Sequence, residues 1–219
     1  MHISVQNLNV IKKKIIDKLN HLKKSESPNI IAVSKTFPID HIKPLIESGH
    51  CDFGENKVQE ALEKWSDIKL KNDNIKLHLI GKLQTNKVKY AVKIFDYIHS
   101  VDSEKLAKKI SDESNKYQKK IKIFIQVNIG QENQKSGIDL DNLENLYLFC
   151  KKIKLDVIGL MCIPPVDKNP QKHFLKMLDL NKRLNLKELS MGMSSDYLKA
   201  VEYSSTYLRI GSSIFGERS

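Results

Sequence analysis

Eight short apolar runs recur along this chain, and each is followed by a segment with helical spacing. The runs are "NIIAVS" (29–34), "CDFG" (51–54), "IKLHLIG" (75–81), "YIHSV" (97–101), "IKIFIQVN" (121–128), "LDVIGLM" (155–161), "KELSM" (187–191) and "TYLRIG" (206–211). Between them, segments such as "SEKLAKKISDESNKYQ" and "LDNLENLYLFCKKI" carry apolar residues at i, i+3, i+4 and i+7. Strands separated by helices pair in parallel through right-handed crossovers, because each helix returns the chain to the same end of the sheet. Eight such units in 219 residues predict a single α/β domain, residues 1–219, folded as a closed (β/α)8 TIM barrel. An open doubly wound sheet is disfavoured by the lack of a G-x-G-x-x-G fingerprint or a Walker loop. The segment "MHISVQNLNVIKKKIIDKL" adds an amphipathic N-terminal helix ahead of the first unit. The chain stops at "IFGERS", directly after the eighth unit, so no second domain is expected.

Charge and cysteine usage narrow the partners. The net charge is +11, which invites a nucleic-acid reading, but only Arg183, Arg209 and Arg218 among the 37 basic residues are arginine. Lysines spread along helical patterns describe a solvated surface, so nucleic acid is not the expected partner. Cys51, Cys150 and Cys162 form no C-x-x-C pair, which fits a reducing compartment and neither a disulfide framework nor a zinc site. The N-terminal segment has no uninterrupted apolar core, and no stretch approaches the roughly 18 apolar residues of a bilayer span. A cytoplasmic protein is expected.

In such a barrel, functional groups gather at the C-terminal ends of the strands. Alternation puts Ile31, Val33 and Lys35 on one side of the first strand, so Lys35 projects from the barrel mouth if the other two fill the interior. Partial desolvation there would free an amine nucleophile, although position alone fits a solvated lysine as well. After strands seven and eight, "SMGMSS" (190–195) and "RIGSSIFG" (209–216) each combine glycine with hydroxyl residues and run into a helix. Either loop alone reads as ordinary turn and cap chemistry. At adjacent positions in a barrel they point to a phosphate site. Arg209 opens the second segment, just ahead of its Gly-Ser-Ser turn and on the strand that closes against the first. An amine, a guanidinium and a phosphate cradle are the parts that hold pyridoxal 5′-phosphate (PLP) as a Schiff base. An arginine at the pyridine nitrogen would keep it unprotonated and make the ring a poorer electron sink.

The motifs "AVSKTFP", "DFGENKVQEA", "HLIGKLQTNKVK", "QVNIGQENQKSGI", "GLMCIPP", "LSMGMSSDY" and "LRIGSSIFGER" fall in an order that resembles the pyridoxal phosphate homeostasis proteins across nearly the whole chain. The resemblance implies a fold-type-III barrel like the N-terminal domain of alanine racemase, with PLP attached to Lys35. It further implies phosphate contacts from Ser194, Gly211 and Ser212, with Ser195 a weaker candidate, and Arg209 facing the pyridine nitrogen. Asn56 and His78 would line the ring pocket and Met161 would lie near the cofactor; His78 and Met161 read equally well as plain core. Lys135 would sit in a loop at the barrel mouth, by default as a solvated lysine. Leu77 replaces a common aromatic and Ser212 a frequent threonine, each keeping its chemical type. The implied function is intracellular PLP and amino-acid homeostasis, as a monomeric carrier without turnover, with apo PLP-dependent enzymes as candidate partners. The alternative is a PLP-dependent amino-acid racemase, which needs a proton donor on each face of the substrate carbon. In alanine racemase the second donor comes from a domain region for which this chain offers no counterpart.

Overall fold

The computed structural model describes residues 1–131, 136–165 and 169–217. All eight apolar runs form strands: β1 (Asn29–Val33), β2 (Asp52–Glu55), β3 (Lys76–Leu79), β4 (Tyr97–Val101), β5 (Lys122–Gln126), β6 (Asp156–Met161), β7 (Glu188–Ser190) and β8 (Tyr207–Ile210). Every neighbouring pair is parallel, and β8 returns to β1 to close the barrel. Closure is in register, with Ile31 opposite Arg209 and Ala32 opposite Ile210. The helices between strands are α2 (Ile39–Glu47), α3 (Val58–Lys71), α4 (Val88–Ile94), α5 (Glu104–Lys116), α6 (Leu143–Lys152), α7 (Pro170–Arg183) and α8 (Tyr197–Glu202). A final turn, α9 (Ser212–Phe215), follows β8.

The amphipathic N-terminal segment forms α1 (Ile3–His21), which buries Leu8, Ile11, Ile15 and Leu19. Asn7 Nδ2 donates to the Ile214 carbonyl at 3.0 Å, and Lys18 pairs with Glu202 at 2.5 Å. The extra helix is thereby fastened to α9 and to the end of α8, beside the last strand.

Strand alternation sorts the side chains into two cores. Outward-facing Ile30, Ala32, Phe53, Leu77, Leu79, Ile123, Ile125 and Leu208 pack with the helices in a continuous apolar shell. The inward set is a separate small cluster of Ile31, Phe124, Met161 and Tyr207, with Tyr97 and Ile158 packed against it. Both faces of the sheet are therefore covered, which is why the strands read as unbroken apolar runs. The interior is not wholly apolar: His78, His99, Ser190 and Arg209 are buried there as well. No described helix is long and apolar enough to cross a membrane.

Candidate functional site

A cavity of about 760 Å³ opens at the C-terminal ends of the strands. Lys35, Asn56, Ser194, Ser195, Arg209, Gly211 and Ser212 all line it. His78 and Met161 do not; both are fully buried in the barrel interior. Lys135 lies outside the described residues. Sequence reasoning did not single out Phe37, Ile80, Lys82, Gln126, Ile163, Met193 or Glu217, which complete much of the wall. Gln126 was within reach of the alternation argument, because it follows the inward Phe124 by two positions on β5.

Lys35 stands two residues past the end of β1, half-buried, in line with inward Ile31 and with Val33, which shares the cavity wall. The residues on either side of it are clamped. Ser34 Oγ donates to Glu55 Oε1 at 2.8 Å, and Trp65 Nε1 and Lys64 Nζ reach the same oxygen at 2.9 and 3.0 Å. Lys64 also donates to the Ser34 carbonyl at 2.9 Å and to Glu60 Oε1 at 3.0 Å. Glu60 Oε1 in turn accepts the Thr36 N–H at 2.6 Å, holding Thr36 at a left-handed φ of 68°. That conformation is uncommon for a β-branched residue and persists here because a carboxylate pins the N–H. Burial pushes the Glu55 carboxyl above its ordinary range, against the pull of Trp65 and Lys64. Contact with Thr36 and Lys64 lowers that of Glu60 in spite of its partial burial.

On the opposite wall, the loops after β7 and β8 meet through Ser194. Its Oγ accepts the backbone N–H groups of Gly211 and Ser213, both at 3.3 Å. Donors at the start of α9 therefore converge on one oxygen, beside the Ser212 hydroxyl that also lines the cavity. The loop after β7 is sharply bent at Gly192, φ 93°, where an added Cβ would stand 2.6 Å from Ala200 Cβ. Only glycine lets the loop lie this close to α8.

Arg209 rises from the interior side of β8 and is 4% exposed. Nη1 donates to Ser190 Oγ at 2.6 Å and Nη2 to the Cys162 carbonyl at 2.7 Å. Burial lowers its pKa, yet a guanidinium keeps its charge in such surroundings. The Asn56 backbone lies against Gly81, just past β3, so closely that its main-chain oxygen would stand 2.4 Å from a Cβ there. The site thus joins a lysine, a buried guanidinium and a hydroxyl-lined group of N–H donors in one cavity. These residues suit a phosphorylated aromatic aldehyde: donors for the phosphate, a cation for the ring nitrogen, an amine for the carbonyl.

Residues 7–219 match the family model described as the alanine racemase N-terminal domain. The pyridoxal phosphate homeostasis protein of Aquifex aeolicus (strain VF5) is 38% identical, with 86% of each chain covered. That of Pasteurella multocida (strain Pm70) is 36% identical over 97% of each. Among solved structures, PipY of Synechococcus elongatus PCC7942, known with PLP bound, is 33% identical with a TM-score of 0.80; the match covers 92% of this chain and 100% of that one. Alanine racemase of Clostridium difficile 630, at 15% identity and a TM-score of 0.74, shares the barrel over 99% of this chain but only 57% of its own. With the motifs in order, the barrel closed and the lysine, arginine and hydroxyl groups around one cavity, the chain belongs to the family of the pyridoxal phosphate homeostasis proteins.

Proposed function

We propose that this protein binds PLP as a Schiff base on Lys35 and serves cellular PLP and amino-acid homeostasis as a carrier, without substrate turnover. The observation that carries this reading is the convergence of Lys35, Arg209, Ser194, Gly211 and Ser212 on one open cavity. PLP supplies an electrophilic carbonyl and a ring that can accept electrons. The chain's own groups do the rest. Lys35 provides the amine, and its neighbours Ser34 and Thr36 are held by Glu55, Lys64 and Glu60 so that the amine keeps its direction. The loops after β7 and β8 offer hydroxyls and backbone N–H groups to the phosphate.

Arg209 holds its protons too tightly to transfer one to a ring nitrogen, which leaves the ring a poorer electron sink and so supports the carrier reading. The other ionisable side chains lining the cavity, among the described residues, are Lys82 and Glu217, both exposed. On this reading the protein works in the cytoplasm as a monomer, and the recipients are apo forms of PLP-dependent enzymes.

The test is spectroscopic. Protein mixed with PLP should develop a visible band that borohydride bleaches, fixing the cofactor mass on Lys35; Lys35→Ala should show neither effect. A parent protein without the band overturns the binding, and a reducible adduct in Lys35→Ala moves the attachment elsewhere. Racemisation of alanine or serine well above that of free PLP overturns the carrier reading in favour of a racemase.

A further inference from the structure

The barrel interior contains an unbroken file of polar groups that the cavity itself does not use. Asp52 Oδ1 meets His78 Nε2 at 2.9 Å, His78 Nδ1 meets His99 Nε2 at 3.0 Å, and His99 Nδ1 meets Ser190 Oγ at 2.9 Å. Ser190 Oγ then accepts from Arg209 Nη1 at 2.6 Å. We propose that Asp52, His78, His99 and Ser190 are positioning residues for Arg209: a polarised hydrogen-bond wire that sets how the guanidinium is presented to the cavity and ties it to the opposite end of the barrel.

The two ends fix the direction. Arginine can only donate and an ionised carboxylate can only accept, while a neutral imidazole offers one donor and one acceptor. His78 therefore donates from Nε2 to Asp52 and accepts at Nδ1. His99 must then donate from Nε2 and accept at Nδ1, where the Ser190 hydroxyl donates. Ser190 keeps its lone pairs for Arg209. Each link receives one hydrogen and none is left over. A second proton on either imidazole breaks this count, because it forces the Ser190 hydrogen into a buried site without an acceptor. Burial depresses the basicity of both imidazoles, and the nearby Arg209 charge depresses that of His99 further, in keeping with neutral rings. Stacking fixes their planes: His78 lies on Tyr97 with centroids 4.3 Å apart, and His99 on Phe124 at the same separation.

The file joins two openings. Arg209 lines the mouth cavity, whereas the Asp52 carboxylate is 26% exposed beside a floor recess of about 270 Å³ that Lys12 and His50 share. An interior meant only to fill space would be layered with branched apolar residues instead.

The inference rests on the PLP reading only in its second arm, so the two can fail separately. The first arm is nitrogen-15 NMR of the PLP-free protein. It should show both interior imidazoles neutral, with the proton on Nε2, between about pH 6 and 8. A proton on Nδ1 of either ring overturns the wire, whether or not PLP binds. In the second arm, Asp52→Ala removes the terminal acceptor far from the cavity. It should weaken PLP binding about twofold to thirtyfold, the range of couplings carried through packed networks. Asp52→Asn, which keeps an acceptor oxygen, should restore most of the loss. A purely structural Asp52 would alter thermal stability alone, and PLP binding by Asp52→Ala equal to the parent's overturns the proposal.

Discussion

Replacing Lys64 with methionine should cost this protein several kcal/mol of stability, because it breaks a buried ion pair from one side. Lys64 is 10% exposed and Glu55 fully buried, so the pair is shielded from solvent. The methionine fills much of the aliphatic space but removes the cation, leaving a carboxylate with only the neutral donors Ser34 and Trp65. Breaking a buried ion pair from one side costs about 3–5 kcal/mol. At about 2–4 °C per kcal/mol for a chain of this size, the melting temperature should fall by about 6–20 °C near neutral pH.

The carboxyl can escape by taking up a proton, which gives the prediction a second edge. Burial raises the Glu55 pKa above its ordinary 4.5, so the folded state holds the proton more tightly than the unfolded chain. Stability therefore falls as pH rises from 4.5 through the raised folded value, and losing Lys64 widens that window. Thermal melts followed by circular dichroism should show the gap between variant and parent small in mild acid and full at neutral pH. Adding Glu55→Gln, which removes the charge but keeps the oxygen facing Ser34 and Trp65, should recover most of the loss. A fall of less than about 2 °C at neutral pH, or one equal at both pH values, would refute the reasoning.

Three further outcomes follow from other parts of the barrel. Gly159→Ala would put a Cβ 1.9 Å from the Glu188 carbonyl oxygen, a backbone atom, and should cost at least about 3 kcal/mol in urea unfolding by prying β6 from β7; a cost below about 1 kcal/mol would contradict the geometry. Burial pushes the thiols of Cys150 and Cys162 up to about 12, so iodoacetamide at about pH 8 should alkylate native protein at the half-buried Cys51 alone, and labelling of Cys162 before unfolding would show that β6 opens. Burial also lowers His50 from 6.5 to about 4, so the folded state resists protonating it; this stabilising share is complete above 6.5 and fades as pH falls toward 4, and His50→Gln should lose less stability than the parent across that interval in pH-dependent melts.

The strand count was legible because a parallel barrel covers both faces of every strand, so each one surfaces in the sequence as an apolar run bounded by polar residues. The direction of Lys35 was legible for a related reason: alternation on β1 is a property of one strand, and Ile31 reports it. Arg209 was legible by a different route, since a closed barrel sets the last strand beside the first, and alternation on β8 agrees by aligning Tyr207, Arg209 and Gly211. The clamp around Lys35 was hidden, because it depends on Lys64 and Glu60 reaching back from α3 to a turn more than twenty residues earlier.

The wire was hidden more deeply. "KLHL" and "YIHSV" each show a histidine within a strand, and nothing in either segment says that the two rings meet. Their contact depends on the register between β3 and β4, which sets His78 beside Tyr97 and leaves His99 one inward position higher. Register in a closed barrel belongs to the whole sheet, since the stagger of each strand must sum to the shear that lets β8 meet β1. A histidine at an inward position is therefore ambiguous in sequence between ring pocket and core. The stagger takes His78 below the cavity, where it touches Asp52 and His99 rather than the lining groups. If His78 acts on the cofactor site, it does so through Arg209, and the proton on its Nε2 is the observable that decides it.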